Sequence, residues 1–170
     1  MAAIPIEVRP LTREAFSPFG DVIETAGAKH FDINNGTTTR YHDLASVDTA
    51  DEGGRTLISI ARAQPFSLPL SIIMLEHHPL GSQIFMPMKN HPWLVVVAEM
   101  KDDGNPGEPV CFLARGNQGV NYAKGTWHHP LIALEAGNDF LVVDRGGDGN
   151  NLAEYFYEGD GFIIEAGGLV

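Results

Sequence analysis

The sequence predicts a mainly β protein, a sandwich or barrel with a few short helices, and three observations carry that expectation. Apolar segments of strand length recur along the chain. Clusters of Gly, Pro, Asn and Asp separate them, and no long amphipathic helix, heptad pattern or internal repeat breaks the series. At 170 residues, with 44% hydrophobic and 19% charged side chains, the chain has the size and composition of one globular domain spanning 1–170. Within it, 151–170 reads as a C-terminal tail that covers the barrel mouth, adds a strand or stays disordered.

The elements follow in order. Ile6-Glu7-Val8 is an opening strand candidate. Thr12 then reads as a helix N-cap, with Leu11 and Phe16 placed as partners of a hydrophobic staple, and the helix stops near Ser17-Pro18. Strands are predicted at Leu57–Ala63, Ser71–Glu76, Gln83–Pro87, Trp93–Ala98, Val110–Ala114, Leu131–Leu134, Phe140–Asp144 and Tyr155–Tyr157. Turn chemistry punctuates them at Gly53-Gly54, Pro79-Leu80-Gly81, Gly116–Gly119 and Gly146–Asn150, and the polar tract Lys101–Glu108 reads as an exposed loop. Period-two alternation puts Ile58, Ile60 and Arg62 on one face of their strand. If that face is internal, Arg62 is a cation in a pocket that must be paired or await an anion.

Composition also excludes. The longest apolar run, Trp93–Ala98, is far shorter than a membrane span. A net charge of −11 repels a phosphate backbone, and the scattered Lys and Arg supply no basic patch, so neither a membrane nor a nucleic acid is an expected partner. The start lacks the basic segment and apolar core of a secretory signal, and the lone Cys111 can make no disulfide within the chain. Cytoplasmic residence is the resulting expectation.

Four of the seven histidines fall in two pairs, His77-His78 and His128-His129. Adjacent residues on a strand point to opposite faces, so each pair offers an interior site one imidazole at most. With Glu76 and Gln83 in reach, imidazole, carboxylate and carboxamide oxygen make a donor set for a borderline divalent metal. The ordinary alternative is that one His packs on Trp127 and its neighbour is solvated. No zinc-finger spacing, HExxH, GxSxG elbow, phosphate-binding loop or dinucleotide fingerprint occurs, and Cys111 beside Phe112 reads as a small core residue. Asn34-Asn35-Gly36 followed by Arg40-Tyr41-His42-Asp43 is either an ordinary turn and strand or a hydrogen-bonding group. Asp144-Arg145 is either a surface ion pair or a carboxylate at the rim of a site.

The segments Ile33–Gly36, Arg40–Leu44, Ile58–Ala63, His78–Gln83, Gly119–Tyr122, Trp127–Pro130 and Val143–Arg145 together strongly resemble the ureidoglycolate lyase family, also known as ureidoglycolate hydrolase. The resemblance runs in order from about Leu11 to Asp148 and leaves the tail from Asn151 uncovered. It implies a cupin-type double-stranded β-helix barrel, a homodimer, and cleavage of (S)-ureidoglycolate into glyoxylate and urea late in allantoin breakdown. The wider cupin pattern has a His-x-His pair, a following Glu and a later His; here His77 and His78 are adjacent and His128 matches the later His. A divalent metal such as Ni2+, if one is used, would sit on His78 and His128, with Gln83 as a further candidate ligand.

The catalytic set expected from this resemblance is His128, Gln83, Asp144 and Tyr122. His128 would act as base or acid with an ordinary pKa near ~6.5, while Gln83 and Tyr122 would hydrogen-bond the substrate and Asp144 would orient neighbours. Arg62, Lys89, Arg40 and Asn35 are the expected substrate-binding residues, with Arg62 clamping the carboxylate. Two rivals stay open: a metal-dependent enzyme of another class on the same barrel, and a non-catalytic domain that binds a small carboxylate.

Overall fold

The structure is a computed structural model that describes residues 2–169. Strands β1 (Ile4–Pro5) and β2 (Val8–Pro10) precede helix α1 (Arg13–Phe16) and β3 (Gly20–Ile23), and β4 (His30–Ile33) and β5 (Thr38–Tyr41) form a hairpin. After a 3-10 turn at Asp51–Gly53 come β6 (Arg55–Ala63), β7 (Leu70–Ile72), β8 (Met74–His77), β9 (Gln83–Pro87) and β10 (Trp93–Ala98). The second half holds β11 (Val110–Ala114), β12 (Gly119–Tyr122), β13 (Trp127–His128), β14 (Ile132–Ala133), β15 (Asn138–Gly146), β16 (Ala153–Phe156) and β17 (Phe162–Ile164). Among the described residues no helix is long and apolar enough to cross a membrane.

Two large sheets face each other, as the mainly β barrel expectation requires. One has five strands in the order β3-β12-β9-β15-β6; the other has seven, β16-β8-β13-β10-β11-β2 with β14 also on β10. Between them lies a core of Trp93, Val95, Val97 and Phe112 from one sheet against Val22, Val120, Tyr122 and Phe140 from the other. Helix α1 plugs this core with Phe16, which is fully buried. The Thr12 hydroxyl caps the helix by accepting from the Ala15 N–H at 3.1 Å, and the staple residue Leu11 is buried beside it.

A third sheet, β1-β17-β7, covers the outer face of the seven-stranded one. There Leu94, Val96 and Cys111 meet Ile72, Phe162 and Ile164 in a second core. This explains why every residue of β10 is buried although a strand normally alternates: it has a packed layer on each side. Burial pushes the Cys111 thiol up to about 12, so it is a packed, protonated side chain and no nucleophile.

The structure departs from the sequence expectations in identifiable places. The strand expected at Ser71–Glu76 is two strands in different sheets, β7 and β8, parted at the half-exposed Ile73. Ile72 and Leu75 are both fully buried, and three residues apart they cannot share a face of one regular strand, so the chain turns between them. The opening strand is likewise split, with Ile6 and Glu7 between β1 and β2. The tail adds strands: β16 pairs with β8, and β17 lies between β1 and β7.

Arg145, expected at a strand end, is instead buried. Its guanidinium donates to the backbone carbonyl of Asp51 at 3.0 and 2.8 Å and to that of Asp148 at 2.7 Å, tying the 3-10 turn to the end of β15. Gly81 lets the chain pass close to it, since a Cβ there would stand 2.7 Å from the Arg145 Cβ. Replacing Arg145 by Met keeps the volume and removes the donors. Thermal unfolding should then show a loss of about 2–3 kcal/mol, of the size measured for hydrogen bonds to charged groups; an unchanged melting temperature would remove Arg145 as a structural clasp.

Candidate active site

Two cross-strand pairs build the site. On the seven-stranded sheet His128 lies opposite Glu76, and on the five-stranded sheet Tyr122 lies opposite Gln83. The register of β9 with β15, Val143 opposite Ile84, brings Asp144 opposite Gln83 when continued by one step. Residues opposite each other on neighbouring strands share a face, so Glu76 with His128, and Tyr122 with Gln83 and Asp144, form two polar patches. His78, just past β8, joins them, and its ring centroid is 5.2 Å from that of His128.

Hydrogen bonding fixes the tautomers. His128 Nδ1 stands 2.9 Å from the Thr126 carbonyl oxygen, which can only accept, so Nδ1 carries the proton and Nε2 presents a lone pair inward. That Nε2 is buried without a hydrogen-bond partner and lies 3.7 Å from Glu76 Oε1. His78 is arranged alike, with Nδ1 at 2.8 Å from the Asn151 carbonyl oxygen. Its Nε2 faces Gln83 Oε1 at 3.2 Å, while the Gln83 amide nitrogen donates to Asp144 Oδ2 at 3.2 Å. The Tyr122 ring stacks on the His128 ring at 4.2 Å and 11°.

These atoms make an acceptor-rich centre, in which the His128 Nε2 is buried without a partner. Buried acceptors without donors are costly unless a proton or cation joins them. The ligand atoms of Glu76, His78 and His128 all lie within 4.8 Å of one another, so this trio could hold a divalent metal. The outer Nδ1–H bonds to backbone carbonyls are the support that metal-ligating imidazoles ordinarily have. The residues present therefore fit a metal.

The electrostatics divide the roles. Burial pushes His128 down to about 3, so it is neutral at physiological pH and does not carry the ordinary pKa that an acid or base role assumes. Burial also raises the Glu76 carboxyl, an effect that His78 opposes and Glu154 reinforces. Tyr122 is raised by burial and stays protonated.

Of the residues expected from the sequence, His78, Gln83, Tyr122, His128 and Asp144 come together here. Arg62 does not, because the face it shares with Ile58 and Ile60 is external: its guanidinium forks onto Asp139 at 2.8 and 3.0 Å, with 72% of the side chain exposed. Asp139 and Asp144 stand five residues apart on β15, about 16 Å along an extended strand. Lys89 lies beyond the opposite end of β9 from Gln83 and is exposed. Arg40 and Asn35 sit on the exposed β4–β5 hairpin, where Asn34 and Asn35 take positive φ values of 54° and 56° as its turn requires. His77 packs on Trp127 at 4.2 Å, on the face away from Glu76.

Glu76 is the residue that the expected site set omits. The period-two grouping of Met74, Glu76 and His78 holds the signal, but a partly buried carboxylate is visible only once β13 is known to pair with β8. A surface cleft of about 380 Å³ beside Arg13, Lys29 and His42 shares none of these residues.

Fold and site thus define a mainly β protein with a candidate metal centre between its two large sheets. The chain belongs to the ureidoglycolate lyase family, whose profile matches residues 3–165 and so includes most of the tail. It is 56% identical over 158 residues to the ureidoglycolate lyase of Brucella anthropi, covering 93% of each chain. It is 59% identical over 149 residues to that of Burkholderia mallei, covering 88% of this chain and 87% of the other. A solved 3,4-ketoisomerase from Helicobacter canadensis is 14% identical, with a TM-score of 0.39 over 78% of this chain and 87% of that one.

A pH dependence follows from His128. Below the unfolded-state pKa near ~6.5 the unfolded chain binds a proton that native His128 refuses down to about 3, so stability falls on acidification through that window. The slope attributable to one such group is up to about 1.4 kcal/mol per pH unit. Denaturant titrations of metal-stripped protein between pH 7 and 4 should show this fall, blunted in His128→Gln. Identical slopes in the two proteins would mean that His128 titrates normally.

Proposed function

We propose that the chain is a carbon–nitrogen lyase of the amidine-lyase type that cleaves (S)-ureidoglycolate into glyoxylate and urea, acting in the cytoplasm in allantoin and purine catabolism. The observation that carries the reading is the buried His128 Nε2, aimed without a partner at Glu76 and His78, in a chain of this family.

The substrate carries a hydroxyl, a carboxylate and a ureido nitrogen on one carbon. Elimination moves the hydroxyl proton to the departing nitrogen, breaks the C–N bond and turns C–O into C=O, with no change in oxidation state and no nucleophile. Glu76 carries that proton: it takes it from the hydroxyl and returns it to the leaving urea, and burial, which raises its carboxyl, makes it the better base for the first half of the transfer. His128 stays neutral and contributes its Nε2 lone pair, held in place by the Thr126 carbonyl and the Tyr122 ring. Glu76, His78 and His128 would hold a divalent ion such as Ni2+, which when bound would supply a Lewis acid to the substrate hydroxyl. Tyr122, protonated at all working pH values, donates no proton for the transfer and shapes the wall of the site.

The chain pairs with a second copy through the outer face of β6. This is one of the two edge strands of the five-stranded sheet, and Ile58 and Ile60 on it are 74% and 61% exposed. Edges of this kind are ordinarily covered. Pairing is also what would bring Arg40 and Asn35, exposed in their own chain, to a substrate. Sedimentation of the wild type should report a dimer and Ile58→Lys/Ile60→Lys a folded monomer; a dimeric variant would move the interface elsewhere.

The test of the reaction follows glyoxylate, urea and ammonia together from ureidoglycolate, with chelator-dialysed protein and again after divalent metals are added. Glyoxylate and urea in equal amounts without ammonia are expected, and Glu76→Gln should lower turnover by about 10²–10⁴. Ammonia in place of urea would mean an amidohydrolase. A well-folded Glu76→Gln with wild-type turnover would take the proton transfer away from Glu76.

A further inference from the structure

The tail strand β16 brings a third side chain into line with Glu76 and His128. In the pairing of β16 with β8, Glu154 lies opposite Glu76, which itself lies opposite His128 on β13. Opposite residues share a face, so Glu154, Glu76 and His128 form one row across three strands, turned toward the space between the two large sheets. The alternation along β16 agrees: Ala153 and Tyr155 pack on the outer core, which leaves Glu154 and Phe156 on the inner side.

This end of the row is open. β16 is an edge strand of its sheet, Glu154 is exposed, and the flanking Leu152 and Phe156 are 46% and 63% exposed. Among the described residues the Glu154 carboxylate makes no hydrogen bond or ion pair. Two carboxylates directly opposite each other on neighbouring strands repel, and a molecule rich in hydrogen-bond donors lying across both would relieve that cost. The other end of the row is the buried, partnerless His128 Nε2, so the row leads from solvent to the centre of the candidate site.

The leaving group of the proposed reaction has the matching chemistry. A ureido group is planar, with N–H donors on both nitrogens, and Glu76 is placed to act at the nitrogen bonded to the reacting carbon. The terminal NH2 then needs an acceptor one step further out. The Nε2 atoms of His78 and His128 and the Gln83 carboxamide oxygen are directed at the centre, and Asp144 Oδ2 already accepts from Gln83. Glu154 stands one strand out from Glu76, at the ~5 Å Cβ separation of opposite residues, with its oxygens free to accept.

We infer that Glu154 is a specificity-determining residue for the ureido end of the substrate: its carboxylate accepts from the terminal NH2 while Glu76 acts at the leaving nitrogen. The inference rests on the reading that this chain cleaves ureidoglycolate. Glu154 neither holds the ion nor moves a proton. A substrate with a methyl group in place of the NH2 would set that methyl against the carboxylate and be refused.

Two uncleavable analogues test this, both lacking the hydroxyl of ureidoglycolate. N-carbamoylglycine keeps the terminal NH2, and N-acetylglycine is identical except for a methyl group in its place. Each is used as an inhibitor of full-length protein under the conditions in which it cleaves ureidoglycolate, and the ratio of the two inhibition constants isolates the NH2. The wild type should prefer the carbamoyl analogue by about 10–100-fold, the range of a hydrogen bond to a charged acceptor. In Glu154→Leu the preference should fall to within a few-fold of unity while the constant for N-acetylglycine changes little. A purely electrostatic effect of Glu154 on Glu76 would change turnover and its pH profile and leave the ratio alone. Glu154→Gln keeps the shape and one neutral oxygen, so its ratio should fall between the other two, and it reads the same quantity if Glu154→Leu folds poorly. A wild type that cleaves ureidoglycolate without preferring the carbamoyl analogue, or an undiminished preference in the variants, would overturn the inference and leave the lyase reading standing. No cleavage of ureidoglycolate by the wild type would overturn both.

Discussion

The candidate site depends on one constraint: several hydrogen-bond acceptors are held together between the sheets, His128 buried and Glu76, His78, Gln83 and Asp144 partly so. The two imidazoles direct their Nδ1–H groups outward, to the carbonyls of Thr126 and Asn151, and Gln83 donates its N–H to Asp144. What remains facing inward is the Glu76 carboxyl, the Nε2 atoms of His78 and His128 and the Gln83 carboxamide oxygen. Such a set is unfavourable by itself and favourable around a proton or a divalent cation.

The rest of the fold serves to keep that set in place. The lone pairs converge because β13 is wedged between β8 and β10, where its two residues set Trp127 on the outer side and His128 on the inner. The outer sheet covers β10 and Trp127, and the inner core beginning at Tyr122 and running to Trp93 fills the space beyond the site. Because Tyr122 lies flat on His128, the imidazole cannot swing to find a donor. Arg145, next in sequence to Asp144, fastens the end of β15 by its bonds to Asp51 and Asp148. Rigid surroundings are what let an uncomfortable arrangement of acceptors persist.

Much of this is legible in the chain. The strands at Gln83–Pro87, Trp93–Ala98 and Val110–Ala114 coincide with the expectation residue for residue, because their apolar runs end at clear turn signals. His78, Gln83, Tyr122, His128 and Asp144 follow from family resemblance and do assemble. Four-residue strands such as Gly119–Tyr122 and His30–Ile33 carry too few apolar residues to declare a period. The split at Ile73 follows from a third layer that no local pattern announces. Arg62 misleads for a related reason: an Arg between isoleucines reads as a pocket cation, and only the sheet order reveals that β6 is an edge with its face turned outward. Glu76 escapes a reading of the sequence because a carboxylate's importance here comes from a neighbour far away in the chain, His128, and from burial that composition does not register.

The most direct test of a divalent centre between the sheets is a crystal structure of the protein grown with Co2+ or Ni2+, with diffraction recorded on both sides of the metal's absorption edge. One strong anomalous peak is expected there, about 2.0–2.2 Å from Nε2 of His78, Nε2 of His128 and an oxygen of Glu76, as nitrogen and oxygen ligands require. A fully loaded crystal with no peak at that place, or with the ion bound elsewhere and His128 Nε2 satisfied by a protein donor, would contradict it.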